Sequence, residues 1–264
     1  MLTKLRAKLY ALTGHRRWYQ HYRSIVLPQV LERPFDINNL PLKYGWRMDE
    51  RVVEYPWFFS RLPDLPGTLL DGGSVLNHSF LVRHHKLKQK DVTIITLAPE
   101  LECFWREGIS YVYGDLRHTC FRDGHFDYVV SLSTLEHIGL NNTLFYTADK
   151  SCNEKNPGAY LAAVGELRRI LRPGGVCFIS VPFGKHSVRE WLQVFDGAMV
   201  DSIIETFRAR SQSVTYFRYS DARGWQLSTR ESAMDSVYFD PTRDSGWKGC
   251  PMAAEAVACL ELMK

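Results

Sequence analysis

The run LSTLEHI (132–138) sets a carboxylic acid and an imidazole side by side, Glu136 and His137, directly after the apolar stretch FDYVVS (126–131). A neutral imidazole can take a proton from a hydroxyl near neutral pH, which makes His137 a candidate general base, with Glu136 as the second candidate catalytic group. Both can equally be structural, the histidine ordering the loop through backbone hydrogen bonds and the glutamate capping a helix. A second stretch, LLDGGSVLNH (69–78), opens like a nucleotide-binding loop. Asp71, Gly72 and Gly73 supply its front half, but Val75 and Asn77 stand where a GxGxG loop has further glycines. Glycine is needed wherever backbone approaches a ligand or takes positive φ; valine resists that conformation and asparagine tolerates it. GDLR (114–117) adds Asp115, whose carboxylate can accept a hydrogen bond from an adenine amino group.

These groups can meet only if one sheet positions them. From residue 66 onward short β-rich runs alternate with longer helical ones, the pattern of a parallel sheet with crossover helices. Strands are expected at 67–73, 92–98, 109–115, 126–133, 176–183, 213–219 and 256–262. The stretch 159–175 reads as a helix, because Leu161, Val164, Leu167, Ile170 and Leu171 fall at helical spacing and Pro173 with two glycines ends it. A long helical region is expected from about Val188 to Arg208, and 220–255 reads as an insertion or lid within a domain spanning 66–264. In an open parallel sheet ligands bind beyond the carboxyl ends of the strands, where the groups named above would converge.

The composition, 45% hydrophobic and 23% charged over 264 residues, is that of an ordinary globular chain. No apolar run is long enough to cross a bilayer and no signal peptide is evident, so a cytoplasmic location is expected. The six cysteines are scattered without metal-ligand spacing; reduced thiols and no metal site are expected. His84 and His85, beside Lys86 and Lys88, read as a solvated basic face. Residues 1–65 read as a basic helical extension or cap, with residues 1–31 carrying +6 and the remainder −2. Interleaved with Leu2, Leu5, Leu9, Leu12 and Trp18, that basic start suits peripheral contact with an anionic inner membrane surface; nucleic acid is the less favoured partner, and a helix packed on the main domain is the plain alternative. MDERVVEYPWFFSRL (48–62) suits either a cap over a pocket or a packed helix.

LLDGGS, YGDLR, FDYVVSLSTLEHI, ELRRILRPGG and VCFISVPF, in that order, resemble class I S-adenosylmethionine-dependent methyltransferases, specifically the small-molecule, type 11-like kind with an LEH motif. The resemblance covers about residues 66–186 and extends more weakly through AVACLEL. It implies a Rossmann-like α/β fold: a seven-stranded, mostly parallel sheet with flanking helices and an antiparallel last strand, plus the N-terminal helical extension. It implies S-adenosyl-L-methionine as cofactor, with Asp71 and Gly73 at the methionine end, Gly72 and Ser74 in the same loop, and Asp115 and Leu116 flanking adenine. Ser131 would contact the cofactor through its backbone, and Thr96 and Leu97 would stand at the ribose. Thr96 departs from the family, which usually places a two-oxygen carboxylate there.

The expected activity is methyl transfer to a small-molecule or glycan-type acceptor at oxygen, in glycan biosynthesis. A catalytically inactive binding or scaffold protein of the same fold is the alternative that Val75 and Thr96 support. A nicotinamide-dependent oxidoreductase would require a fuller glycine fingerprint and an acid at the end of the second strand.

Overall fold

The computed structural model describes residues 22–239 and 253–264. The strands are β1 (Gly67–Gly72), β2 (Lys90–Thr96), β3 (Ser110–Tyr113), β4 (Phe126–Leu132), β5 (Leu171–Pro182), β6 (Ser187–Val188), β7 (Gln193–Val194), β8 (Ser211–Ser220), β9 (Gly224–Ser228), β10 (Tyr238–Phe239), β11 (Ala253–Ala254) and β12 (Ala256–Met263). The main sheet runs β3-β2-β1-β4-β5-β12-β8-β9. β1 to β5 are mutually parallel, whereas β12 is antiparallel to both β5 and β8. Strand order reverses between β1 and β4, which opens the cleft at that point.

Alternating side chains dress the two faces of this sheet. Leu69, Val130 and Phe178 pack on one side with Trp57 and Phe58 of α1 (Arg51–Arg61). Leu70, Val129 and Ile179 pack on the other with Val164 and Leu167 of α2 (Tyr160–Ile170) and Ile203 and Phe207 of α3 (Gly197–Phe207). Both faces are covered, so the strands read as apolar runs rather than as half-polar ones.

Three expectations are corrected. The helix expected over 159–175 stops at Ile170, because Leu171 turns extended (ψ 136°) and pairs with Phe126 as the start of β5. The helical region expected from Val188 begins only at Gly197, where the Asp196 side chain accepts the Met199 N–H at 2.9 Å and caps α3. The residues before it form the β6-β7 hairpin instead. His84 is buried and does not lie on a solvated face: it packs at a tilt against Phe59 (centroids 4.0 Å apart), its Nε2 meets the Leu31 carbonyl, and its Nδ1 accepts the Lys86 N–H.

The stretch 220–255 supplies β9, an eighth strand at the sheet edge beyond the seven expected. Its Trp225 is fully buried and donates to the Met48 carbonyl at 2.9 Å, so this strand braces the segment that leads into α1. Residues 240–252 of that stretch lie outside the described residues, as do residues 1–21 of the basic segment. α1 contains Pro56, whose ring removes the N–H that would bond the Val52 carbonyl. Tyr44 Oη donates to that carbonyl at 2.8 Å and satisfies it.

Candidate active site

At the carboxyl ends of β1 to β4 lies a cavity of about 290 Å³. Its walls come from the turn after β1, the ends of β2 and β3, the LEH loop, the segment 138–154, and Arg51 and Tyr55 of α1. Of the residues singled out in the sequence, Gly73, Ser74, Thr96, Leu97, Asp115, Leu116 and His137 line it. Asp71, Gly72, Ser131 and Glu136 do not; they stand behind the wall.

The turn after β1 places its special conformations one position earlier than a glycine count suggests. Gly73 (φ 118°) and Ser74 (φ 64°) take the positive φ values, while Val75 is buried in the core and needs none. A Cβ on Gly73 would stand 2.2 Å from Thr134 Oγ1, so glycine is obligatory there. The Asp71 carboxylate is turned onto this loop, accepting N–H groups from Val75 (3.2 Å) and Leu76 (2.7 Å). Burial pushes its pKa up to about 7 against those two hydrogen bonds. Asp71 therefore shapes the loop that Gly73 and Ser74 present.

At the far end of the cavity Asp115 is gripped by Arg117, whose Nε and Nη2 reach its Oδ2 at 2.9 and 2.6 Å. The same guanidinium pairs with Glu154 at 2.6 Å and ties the 150s segment to the end of β3. Burial raises Asp115, but the hydrogen bonds from Arg117 outweigh it and hold the carboxyl below its usual range. Its lone pairs are thus largely committed, which a free carboxylate at a strand end would not show.

His137 sits where the wall turns under α1. Its Nδ1 lies 2.8 Å from the Trp191 carbonyl, so that nitrogen carries the proton and the tautomer is set. Nε2 keeps its lone pair and meets the Tyr146 hydroxyl at 3.2 Å, while the ring stacks on Trp191 (centroids 5.2 Å, 12° between planes). Burial lowers the His137 pKa to about 4, so the imidazole is neutral at neutral pH. Glu136 is buried with Oε1 3.9 Å from His137 Nε2, and burial pushes its pKa well up.

Arg51 escaped the sequence reading. Its Nη1 donates to Glu54 Oε2 at 2.7 Å and to the Leu132 carbonyl at 3.3 Å. Glu54 is wholly buried, and its other oxygen accepts from Ser133 Oγ and Ser180 Oγ, both at 2.6 Å. An acid three residues past an arginine on an aromatic helix is the one signal the sequence offered for this pair.

An open, mostly parallel sheet into which the last strand of the chain inserts antiparallel, and a cleft at its switch point whose walls carry a glycine turn and an LEH loop, defines a class: the nucleotide-cofactor methyltransferase fold. Residues 73–179 match the family model described as a methyltransferase domain. That segment carries a methyltransferase domain, and with it the reading of the protein as a methyltransferase with S-adenosylmethionine as its cofactor. Among solved structures it is similar to a SAM-dependent methyltransferase of Thermotoga maritima (12% identity, TM-score 0.47, covering 95% of this chain and 98% of that one). It is also similar to the 1,6-didemethyltoxoflavin-N1-methyltransferase of Burkholderia thailandensis, solved with 1,6-didemethyltoxoflavin and S-adenosylhomocysteine (13% identity, TM-score 0.47, covering 98% of this chain and 87% of that one). At these identities and TM-scores neither likeness bears on the acceptor. No curated protein matches the chain.

The cleft fits the cofactor in its main features. Ser74 Oγ is a buried hydroxyl without a hydrogen-bond partner among the described residues, at the loop that the family turns toward the methionine end. Ile95, Leu97 and Leu116 give apolar walls between the ends of β2 and β3. Thr96 reaches the cavity too, with a single hydroxyl where the family's carboxylate offers two acceptors.

Proposed function

We propose that the protein methylates a hydroxyl oxygen of a small-molecule or glycan-type acceptor, in the cytoplasm, in glycan biosynthesis. The division into a basic cap (1–65) and a methyltransferase domain (66–264), and a peripheral contact of residues 1–31 with the inner membrane surface, belong to the same reading. The cofactor supplies a methyl group on a sulfonium, so what the protein must provide is alignment and a place for the acceptor's proton.

The observation that carries this reading is His137: Nδ1–H is committed to the Trp191 carbonyl, and Nε2 faces a hydroxyl, that of Tyr146. A nitrogen that accepts from one hydroxyl can accept from another, so an acceptor hydroxyl would take the place of Tyr146 Oη, and Nε2 would take its proton. Burial, which depresses the imidazole, also keeps it neutral and ready throughout the neutral range. Glu136, the second sequence candidate, is the nearby acid whose Oε1 faces the same nitrogen.

Calorimetry with S-adenosylhomocysteine, together with mass spectrometry of ligand carried through purification, tests the donor side. Turnover assays over hydroxylated acceptors, comparing wild type with His137→Ala, test the chemistry. Binding without turnover on any hydroxylated acceptor would favour the scaffold reading that the committed Asp115 and the substituted Thr96 support.

A further inference from the structure

The one lone pair left on the His137 ring is already engaged. Nδ1 carries the proton that the Trp191 carbonyl accepts, so Nε2 can only accept, and the phenol of Tyr146, 3.2 Å away, is its donor. The candidate base is thus capped by a side chain of its own chain.

That cap is held far more lightly than the segment that carries it. On the near side of Tyr146, Asn142 Nδ2 donates to the His137 carbonyl at 3.0 Å, Asn141 Nδ2 donates to Glu190 Oε1 at 2.9 Å, and the Phe145 ring stands edge-on to Trp191 with centroids 4.8 Å apart. On the far side the Asp149 carboxylate accepts the Ser151 N–H at 2.9 Å, and Arg117 grips Glu154 at 2.6 Å. Between these anchors the Tyr146 side chain is 47% exposed, lines the cavity, and makes no hydrogen bond among the described residues other than the one to His137. Rotation about its side-chain torsions therefore frees Nε2 for the loss of a single hydrogen bond.

We infer that Tyr146 is the gate of the acceptor subsite, a specificity-determining residue whose phenol caps His137 until the hydroxyl of an acceptor displaces it. The inference rests on the reading of His137 as the base. An acceptor enters only if its hydroxyl replaces the phenol as donor to Nε2 and the rest of the molecule fits the space that the ring vacates. A molecule without a hydroxyl leaves Nε2 unpaired and gains nothing against the tyrosine. The methylated product, an ether, has no proton to donate, so the phenol reclaims Nε2 once the imidazole has released its proton to water.

The test is the reactivity of His137 toward diethyl pyrocarbonate in the full chain, read by mass spectrometry of the modified peptides. The reagent acylates an imidazole nitrogen that has a free lone pair, which in His137 is Nε2 alone, so reaction requires the gate to be open. Tyr146→Phe keeps the ring and removes the donor, and should speed modification of His137 about 3- to 10-fold, the worth of one neutral hydrogen bond. Tyr146→Ala, which removes the ring as well, should go further. His186, whose Nδ1 meets the Val194 carbonyl and which does not line the cavity, is the internal reference and should react at an unchanged rate. With a hydroxylated acceptor that turns over, Tyr146→Phe should lower the acceptor KM by a similar factor. Unchanged reactivity of His137 in Tyr146→Phe overturns the gate, and so does an equal acceleration at His186, which would report general loosening. A tenfold or greater fall in kcat in that variant also overturns it, because the phenol would then lie in the proton's path. Faster modification of His137 together with normal turnover in His137→Ala would show the cap but remove the base reading on which the gate rests.

Discussion

His137 is neutral because burial outweighs the hydrogen bond it makes, and this sets where its titration shows. A protonated imidazole cannot accept a proton, so the acidic limb of the rate profile should lie near pH 4 and not near the ordinary histidine value of 6.5. His137→Ala should lower turnover roughly 10²- to 10⁴-fold with little change in S-adenosylhomocysteine affinity, and that limb should vanish. Near-normal turnover in the folded variant would reduce this residue to loop support. Asp71 titrates in the opposite sense to most structural carboxylates. Its folded pKa of about 7 exceeds the ordinary aspartate value of 3.8, so the native state retains its proton between those values while the unfolded chain has lost it. Its contribution to stability is therefore fullest below pH 3.8 and is lost as pH rises to about 7. Asp71→Asn cannot titrate, so thermal unfolding across this range should show the stability of wild type, relative to the variant, declining with pH. A difference that stays flat would mean that Asp71 is ionised in the fold throughout.

At the scale of elements, the cleft depends on pieces far from it in sequence. β9 lies at the sheet edge, yet its Trp225 fills the space under 44–48 and bonds the Met48 carbonyl. Gly224 (φ 70°) permits the approach, since a Cβ there would stand 2.3 Å from the Tyr44 carbonyl oxygen. Trp225→Ala removes a large buried ring and should cost about 3–5 kcal/mol. At roughly 2–4 °C per kcal/mol for a domain of this size, differential scanning calorimetry should show a fall of about 6–20 °C. A drop below 2 °C would show that the segment leading into α1 is braced some other way.

For the whole molecule, charge is the property that most separates its parts. Residues 1–31 hold +6 without an acid while the remainder is at −2, and no helix among the described residues is long and apolar enough to cross a membrane. If the basic segment contacts an anionic surface, sedimentation with anionic liposomes at low salt should be lost on deleting residues 1–21. Raising the salt should mimic the deletion, because exposed charges are screened beyond about 10 Å at 0.1 M. S-adenosylhomocysteine affinity should be the same in both proteins, since the cavity is lined from Arg51 onward. Full-length protein that ignores such liposomes would leave the packed-helix alternative.

What the sequence alone determined was the frame: the strand runs, the clearest helix in outline, and the order of loops that meet at one end of a parallel sheet. Those follow from local pattern, because apolar runs bounded by glycine and proline have few ways to fold. The seven expected strands are all in the main sheet, and seven of the eleven named site residues line the cavity. Only the tertiary structure decided what the polar groups do. Asp71 faces its own loop, Asp115 is taken by Arg117, and His137 has its tautomer set by a carbonyl 54 residues away. Arg51 becomes part of the cleft through an acid whose partners lie 79 and 126 residues further along. A side chain's hydrogen-bond partners and burial are set by contacts between distant segments, which leave no mark in local spacing, and those contacts fix both its charge and the direction in which it can act.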